Sequence, residues 1–293
     1  MITVTSPTGK IGRHVVRHLL ALKAPMRLVV RDARRLSADI RDQVELVEGS
    51  HGEAATVDLA FEGASAVFWL APPDTTVTLE RAYLEFTRPA AEALRRHAVP
   101  RIVSVTALGR GTDWQDKAGL VTASIHMDDL LMATGSHFRG LAMPSFMDNV
   151  LRQASTIRDL GVMFGTMDPD MKAPATATRD IGAVASRLLV DEMWTGQENV
   201  PVLGPEDLSP NEMAALISEV LGREIRYQVI SLESFKAQLL AQGVSPSFAS
   251  GYVDMMRAKG EGMDNVGWHA AAARTPTTFR RWCETELMPA ISS

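Results

Sequence analysis

Short apolar runs alternate with longer amphipathic stretches through the first half of the chain. In "GRHVVRHLLAL", for example, Val15, Val16 and Leu19 fall on one face of a helix. Short runs rich in β-branched residues that alternate with helical stretches are typical of βαβ units and predict a parallel sheet. The six predicted strands are Ile2–Thr5, Arg27–Val30, Glu45–Val47, Ala66–Leu70, Ile102–Val105 and Phe138–Met143.

The pattern loosens after Pro144. The stretch "MFGTMDPDMKAPATATRD" has no sustained period, and helical patterns return at "DIGAVASRLLVDEM" and after the turn "GPEDLSPNE". We therefore predict an α/β chain with a Rossmann-type parallel sheet and helices on both faces in residues 1–144. Residues 145–293 are predicted to form a smaller α+β substrate-binding region that partly returns to the Rossmann body.

Composition narrows the classes of partner. The 293 residues are 46% apolar and 22% charged, with a net charge of -5, which argues against wrapping nucleic acid or lying on an anionic membrane. No apolar run has the length of a membrane span, and "MITVTSP" lacks the features of an export signal. The single Cys283 fits a reducing compartment. We expect a cytoplasmic protein that binds a small-molecule substrate, and a homodimer is left open.

Two glycines between the first predicted strand and the first predicted helix indicate a phosphate-binding loop. Glycine lets the backbone approach a pyrophosphate, and the start of a helix directs free amides and a positive dipole end at the phosphates. Ser6 stands where such loops usually have a first glycine, and a left-handed backbone there would cost serine about 1–2 kcal/mol. A turn without a ligand is the alternative. The predicted cofactor-binding residues of the loop are Thr8, Gly9, Lys10, Ile11 and Gly12.

The end of the second strand, "RLVVRDARR", bears on the choice of dinucleotide. An acid at this place grips the ribose hydroxyls of NAD, whereas an arginine accommodates the 2′-phosphate of NADP. Arg31 directly follows the apolar run, and Asp32 comes one position later. We therefore expect NADP as the cofactor, with NADPH preferred over NADH. A solvated basic turn is the alternative, and Asp32 is the residue that opposes the preference.

The reacting pair of ordinary short-chain dehydrogenases, a tyrosine with a lysine four residues later, is absent. The chain has three tyrosines, and none of them has a lysine four positions later. Hydride transfer to a quinone or another conjugated acceptor is therefore favoured, since the proton can then come from water or a weaker acid. Ser124 and His126 in "VTASIHMDDLLMATG" are the candidate proton donors, with a surface histidine as the alternative for His126.

No metal site is expected. His14 and His18 are four residues apart on a predicted helix, but the sequence has neither the glutamate of an HExxH motif nor an evident third ligand.

Six motifs give the chain a family resemblance: "TSPTGKIGRHVV", "LVVRD", "AVFWLAPP", "RIVSVTALG", "MPSFMDNVL" and "VLGPEDLSPNEMAALISEVLGREIRY". Together they resemble the NmrA-like atypical short-chain dehydrogenases, which include type 2 NAD(P)H:quinone oxidoreductases and ergot-alkaloid reductases. The resemblance implies a Rossmann fold, NADP binding and a small carboxy-terminal domain that closes over a cleft. It also implies cofactor contacts at the loop, Arg31 and the ends of the fourth and fifth strands, with the segment "MPSFMDN" near the nicotinamide. The residues at those two strand ends are Leu70, Ala71, Pro72, Ser104, Val105 and Thr106, and the substrate-binding residues are Phe146 and Asn149.

Three positions depart from the family pattern. Ser6 replaces a glycine, Met143 replaces an arginine, and Ser50 stands where an acid is often found near the adenine. The predicted function is an NADP-dependent oxidoreductase that transfers hydride to a quinone-like or other conjugated small molecule. One alternative is a non-catalytic NADP-binding redox sensor that acts through a protein partner. A binding protein that has lost its cofactor is another, and it rests on Ser6 and Ser50 alone.

Overall fold

The computed structural model describes residues 1–267 and 274–292, and the chain divides into two compact units. The first unit comprises Met1–Ala107, Ala123–Ala142 and Ile181–Val200, and the second comprises Leu108–Thr122, Met143–Asp180 and Pro201–Ser293. Each unit is therefore built from three segments of the chain. The simpler division at residue 144 that we expect from the sequence stays a prediction.

A seven-stranded sheet forms the centre of the first unit. Its strands are β1 Ile2–Thr5, β2 Met26–Val30, β3 Glu45–Glu48, β4 Ala66–Trp69, β5 Arg101–Ala107, β6 His137–Met143 and β10 Gln197–Pro201. They lie in the order β10-β6-β5-β4-β1-β2-β3, and the pairs β1 and β2, β1 and β4, β2 and β3, and β4 and β5 are parallel. All six predicted strands are present, so the Rossmann-type α/β prediction is confirmed.

The seventh strand, β10 at Gln197–Pro201, was missing from the prediction. It lies at the edge of the sheet beside β6. Gln197 and Glu198 are exposed, and the next three residues are half-buried. An edge strand needs no continuous apolar run, and so this segment carries too weak a pattern to be recognised from the sequence.

Helices connect these strands and cover the sheet. The largest fully buried side chains of the first unit include Phe61, Phe68, Trp69 and Phe138. Trp69 is thus a core residue. The helices of the chain are α1 Gly12–Ala21, α2 Ala38–Arg41, α3 Ala54–Phe61, α4 Phe86–Arg96, α5 Leu120–Met132, α6 Ala154–Leu160, α7 Thr178–Val190, α8 Pro210–Leu221, α9 Leu232–Ala241, α10 Pro246–Gly260, α11 Phe279–Trp282 and α12 Met288–Ser292.

The helix that contains Pro89 begins irregularly. A π-helical turn at Arg81–Glu85 precedes α4, and Pro89 is the fourth residue of α4. Proline has no N–H to donate to the carbonyl of the residue four positions earlier, here Glu85, and its ring crowds that carbonyl. A wider turn just before proline removes this conflict, which explains why the long predicted helix is not a regular α-helix throughout.

The second unit combines short strands with helices, as the predicted α+β class requires. The strands are β7 Ser145–Phe146, β8 Val162–Gly165, β9 Ala173–Thr176, β11 Asp207–Leu208 and β12 Arg226–Val229. One sheet has the order β11-β9-β7, and β12 pairs in parallel with β8. Helix α8 begins with a capping box between Ser209 and Glu212, and Phe279 stacks on Trp282 in the core.

Candidate cofactor-binding site

The loop between β1 and α1 has the tight form that a pyrophosphate requires. A Cβ atom on Gly12 would lie 2.0 Å from the carbonyl oxygen of Ser6, and one on Gly9 would lie 3.2 Å from the same oxygen. Neither glycine has a positive φ, so close backbone approach is what excludes a side chain at Gly12 and leaves little room for one at Gly9. The loop leads directly into α1, where the amides of Arg13 and His14 donate to the carbonyl oxygens of Gly9 and Ile11 at 3.1 and 2.9 Å. Helix α1 therefore favours an anion at this end mainly through its positive dipole end. These residues therefore fit the diphosphate of a dinucleotide.

Ser6 is the loop residue with a left-handed backbone. Its φ angle is 51°, a conformation in which a residue with a side chain is about 1–2 kcal/mol less favourable than glycine. The cost that we expected for a left-handed serine therefore applies. The Ser6 hydroxyl donates a hydrogen bond to the carbonyl oxygen of Leu70 at 3.2 Å, which offsets part of it.

Leu70 joins three elements at the carboxyl end of the sheet. Its carbonyl oxygen lies 3.2 Å from the hydroxyl of Ser6 and 3.0 Å from Nε2 of His51. Its own amide donates to the hydroxyl of Thr5 at 3.0 Å. The ends of β1 and β4 and the loop after β3 are thereby held together. Sequence reasoning missed His51, although it directly follows the Ser50 that departs from the family pattern.

At the end of β2, the two charged residues Arg31 and Asp32 have different surroundings. The carboxylate of Asp32 accepts a hydrogen bond from the backbone amide of Arg34 at 3.0 Å and pairs with its guanidinium at 2.9 Å. The side-chain hydrogen bond from Arg34 is the main reason why the pKa of Asp32 is lowered. Asp32 thus caps the short 3-10 turn Ala33–Arg35, while Arg31 is exposed and lines a cavity.

That cavity, of about 410 Å³, lies at the carboxyl ends of β2, β3 and β4. Burial is the main cause that lowers the pKa of its His51 to about 4, and the positive charge of Arg31 lowers it further. The imidazole is therefore neutral near pH 7. Ser50 is engaged locally, because its hydroxyl accepts from the amide of Gly52 at 3.3 Å. Other lining residues are Pro72, Asp74, Val77, Arg81, Ala82, Glu85 and Phe86.

A second crevice, of about 510 Å³, borders the loop at Pro7 and Thr8. Its lining includes three arginines, Arg13, Arg17 and Arg35, and one acid, Asp39. Positive charge therefore predominates in the crevice beside the loop, which suits a ligand that carries several phosphate groups.

The predicted residues of β5 face helix α5. Ser104 donates a hydrogen bond to the carboxylate of Asp128 at 2.9 Å, and the hydroxyls of Thr106 and Ser124 lie 3.5 Å apart. Residues two apart on a strand share a face, and so do residues four apart on a helix. The side chains of Ser104 and Thr106 are therefore used in packing against α5, and Val105, between them, points to the other face of the sheet.

The two candidate proton donors do not lie together. Ser124 is 7% exposed and lies beside Thr106, whereas His126 is exposed. A separation of two residues places them on different sides of α5, about 200° apart around the helix.

Phe146 and Asn149 belong to the second unit. Phe146 is half-buried in β7 and pairs with Thr176 of β9, and Asn149 is half-buried in the 3-10 segment Met147–Gln153. Between them, the buried carboxylate of Asp148 accepts hydrogen bonds from the amide and the hydroxyl of Thr178, at 3.1 and 2.8 Å. These bonds attach the segment to the first turn of α7.

Residues 1–267 and 274–292 contain no group of three histidine, cysteine, aspartate or glutamate side chains placed to hold a metal ion. Nor does any helix in these ranges have the length and apolarity needed to cross a membrane.

Comparison with known proteins decides the family. A model of the NAD(P)H-binding family matches residues 7–191, which include Thr8–Gly12, Arg31 and β2 to β6. The chain belongs to the NAD(P)H-binding family.

Two relatives share 31% identity with this family member. The NAD(P)H azoreductase of Xenophilus azovorans aligns over 253 residues, 85% of this chain and 84% of the relative. The (4-alkanoyl-5-oxo-2,5-dihydrofuran-3-yl)methyl phosphate reductase of Streptomyces griseus aligns over 250 residues, 84% and 83% of the two chains. The crystal structure of an NADPH-dependent quinone oxidoreductase from Escherichia coli, complexed with NADPH, has a TM-score of 0.80 at 20% identity. It covers 98% of this chain and 100% of that one, and it shows the same fold.

These findings confirm the resemblance to the NmrA-like reductases that the motifs predicted. The protein is an NAD(P)H-dependent oxidoreductase of the NAD(P)H-binding family. Its loop, with Gly12 too close to Ser6 for any side chain, fits the dinucleotide of this family.

Proposed function

We propose that this oxidoreductase prefers NADPH and reduces a quinone-like or other conjugated small molecule. The cofactor preference is inferred from the different surroundings of Arg31 and Asp32. Asp32 is engaged by Arg34, and the exposed Arg31 lines the cavity at the end of β2. An arginine at this place suits a 2′-phosphate, while an engaged carboxylate is a poor acceptor for ribose hydroxyls.

The proposed cofactor contacts are those expected from the sequence. The loop Thr8–Gly12 and the first turn of α1 would hold the diphosphate, and Arg31 would hold the 2′-phosphate. The backbone of Leu70–Pro72 and Ser104–Thr106 would line the rest of the site. When bound, NADPH supplies the hydride for the reaction.

The kind of substrate that accepts the hydride is inferred from the absence of the tyrosine–lysine pair that donates a proton in ordinary short-chain dehydrogenases. No tyrosine of the chain has a lysine four residues later, and α5 contains no tyrosine at all. A ketone needs a proton delivered to its oxygen as hydride arrives, whereas a conjugated acceptor can take its proton from water. The names of the relatives, an azoreductase and a quinone oxidoreductase among them, support electron-poor conjugated substrates. Ser124 and His126 remain candidate donors, with Phe146 and Asn149 as candidate substrate contacts.

Calorimetric titration tests the cofactor preference. We expect the parent to bind NADPH about ten- to hundredfold more tightly than NADH, because a hydrogen bond to a charged group contributes about 1.5–3 kcal/mol. Arg31→Ala should remove most of this preference. Arg187→Ala is the matched control, because Arg187 is an exposed arginine of α7 that lines neither of the two cavities, and it should retain the preference. Equal affinities of the parent for the two cofactors would contradict the proposal.

The loss of NADPH absorbance tests the reaction. We expect turnover with members of a panel of quinones, azo dyes and enones. Tight NADPH binding with no turnover on any acceptor of the panel would overturn the reductase and support a non-catalytic sensor. The cytoplasmic location and the homodimer stay predictions from the sequence.

A further inference from the structure

The imidazole of His51 is held in one orientation by two aromatic rings. Trp69 and Phe86 contact it edge to face, with ring centroids at 5.3 and 5.0 Å and interplanar angles of 83° and 89°. The side chain is buried, with 6% of the residue exposed. A ring packed on two sides keeps its nitrogen atoms in fixed directions.

The hydrogen bond to Leu70 decides which nitrogen of His51 carries the proton. Nε2 lies 3.0 Å from the carbonyl oxygen of Leu70, and a carbonyl oxygen only accepts, so Nε2 must be the donor. Burial holds the pKa of His51 at about 4, and the ring therefore carries one proton near pH 7. Nδ1 is then a hydrogen-bond acceptor. Within residues 1–267 and 274–292, Nδ1 has no hydrogen-bond partner.

The position of His51 relative to Arg31 indicates what Nδ1 could bind. Both residues line the cavity of about 410 Å³. If Arg31 holds the 2′-phosphate, the base joined to the same ribose must lie within a few bonds of it, over the loops that follow β2 and β3. Pro72, Val77 and Phe86 give the same cavity apolar surface, against which a planar base can pack.

We propose that His51 selects the adenine base of the cofactor, with Nδ1 accepting a hydrogen bond from the exocyclic amino group. This inference rests on the proposed NADPH-dependent function. A carboxylate at the neighbouring position could accept the same bond, but Ser50 stands there and its hydroxyl is engaged with Gly52. A neutral histidine with a fixed tautomer supplies the acceptor instead.

Two carboxylates on the cavity wall are the rival acceptors. Asp74 is engaged, because it accepts from the amide and the hydroxyl of Thr76 at 2.9 and 2.7 Å. Glu85 is exposed and lies 4.0 Å from the guanidinium of Arg81, so its oxygens are less constrained. Glu85→Gln is therefore the informative control.

Calorimetry with NADPH and its deamino analogue tests the inference. In the analogue a carbonyl oxygen replaces the amino group of the adenine, so that two acceptors would face each other at His51. We expect the parent to bind the analogue about tenfold more weakly than NADPH, as the loss of one buried hydrogen bond implies.

Substitutions then test whether His51 is the residue that distinguishes NADPH from its deamino analogue. His51→Leu should bring the ratio of the two dissociation constants close to one, and His51→Gln, whose side-chain carbonyl can accept, should retain much of it. Glu85→Gln should keep the full ratio, and if it removes the ratio the assignment to His51 is wrong. The parent comparison needs no variant to fold. If the parent binds both dinucleotides equally, the His51 inference alone fails, whereas no binding of NADPH would overturn the proposed function itself.

Discussion

The hydroxyl of Ser6 donates to the carbonyl oxygen of Leu70 at 3.2 Å, while the Ser6 backbone has a φ angle of 51°. One residue thus combines a backbone cost with a side-chain bond that joins the loop after β1 to the end of β4. The two contributions are of similar size and opposite sign, about 1–2 kcal/mol for the backbone and about 0.5–1.5 kcal/mol for the hydrogen bond.

Two substitutions at Ser6 separate these contributions. Ser6→Gly relieves the backbone and loses the hydrogen bond, so the free energy of unfolding should change by less than about 1 kcal/mol. Ser6→Ala loses the bond and keeps the backbone cost, and should be less stable than the glycine variant by about 1 kcal/mol. Denaturant unfolding measures both. Equal stabilities would show that the left-handed backbone costs little. NADPH affinity of Ser6→Gly should stay within a few-fold of the parent, since the proposed phosphate contacts are those of Gly9, Gly12 and the start of α1.

Gly12→Ala should abolish NADPH binding. The added Cβ would lie 2.0 Å from the carbonyl oxygen of Ser6, a backbone atom that can move only if the loop changes shape. Gly260→Ala is the control, because its Cβ would meet nothing within 4 Å and its φ is not positive. We expect the control to bind NADPH as the parent does. Normal binding by Gly12→Ala would mean that this loop does not hold the diphosphate.

Acid should destabilise the protein partly through His51. Its pKa is lowered from 6.5 to about 4 in the folded state, so the unfolded state binds more protons between these values. The contribution is complete above pH 6.5 and is lost as the pH falls to about 4, and the shift corresponds to roughly 3 kcal/mol. The free energy of unfolding of His51→Gln should therefore fall less steeply over this range than that of the parent. Parallel curves for the two proteins would contradict the buried neutral histidine.

His126→Ala should lower quinone reduction by less than about tenfold, below the range of about 100- to 10,000-fold that general acids contribute. The reason is that His126 is exposed and that positioning of a conjugated acceptor supplies most of the rate. Steady-state rates with the best acceptor measure the effect. Ser124→Ala, on the buried side of α5, provides the comparison. A loss of more than a hundredfold in only one of the two variants would identify that residue as the proton donor.

Cys283 should resist thiol reagents in the native protein. It is fully buried in the core of the second unit, and burial raises the pKa of its thiol to about 12, so almost no reactive thiolate forms near pH 8. A colorimetric disulfide reagent should react with one thiol per chain only after addition of denaturant. Rapid reaction without denaturant would show that the surrounding core opens readily.

Much of the fold can be predicted from local patterns. The six predicted strands appear within about two residues of their expected ends, because buried parallel strands need continuous apolar runs and these stand out against amphipathic helices. The edge strand β10 has no continuous apolar run and was not predicted, since one of its sides faces solvent. The glycine spacing between strand and helix likewise identified the loop, because only a few residue types permit close backbone approach to phosphate.

The sequence by itself therefore determined the fold class, the family, the loop and the arginine after β2, all of which depend on residues close together in the chain. Only the tertiary structure revealed that Ser6 is the left-handed residue and that Asp32 is engaged by Arg34. It also brought His51 to Leu70, 19 positions further along the chain. The lowered pKa of His51 follows from burial, and its tautomer follows from the carbonyl of Leu70, just after β4. Such properties arise from contacts between distant segments, and no local pattern of residues encodes them.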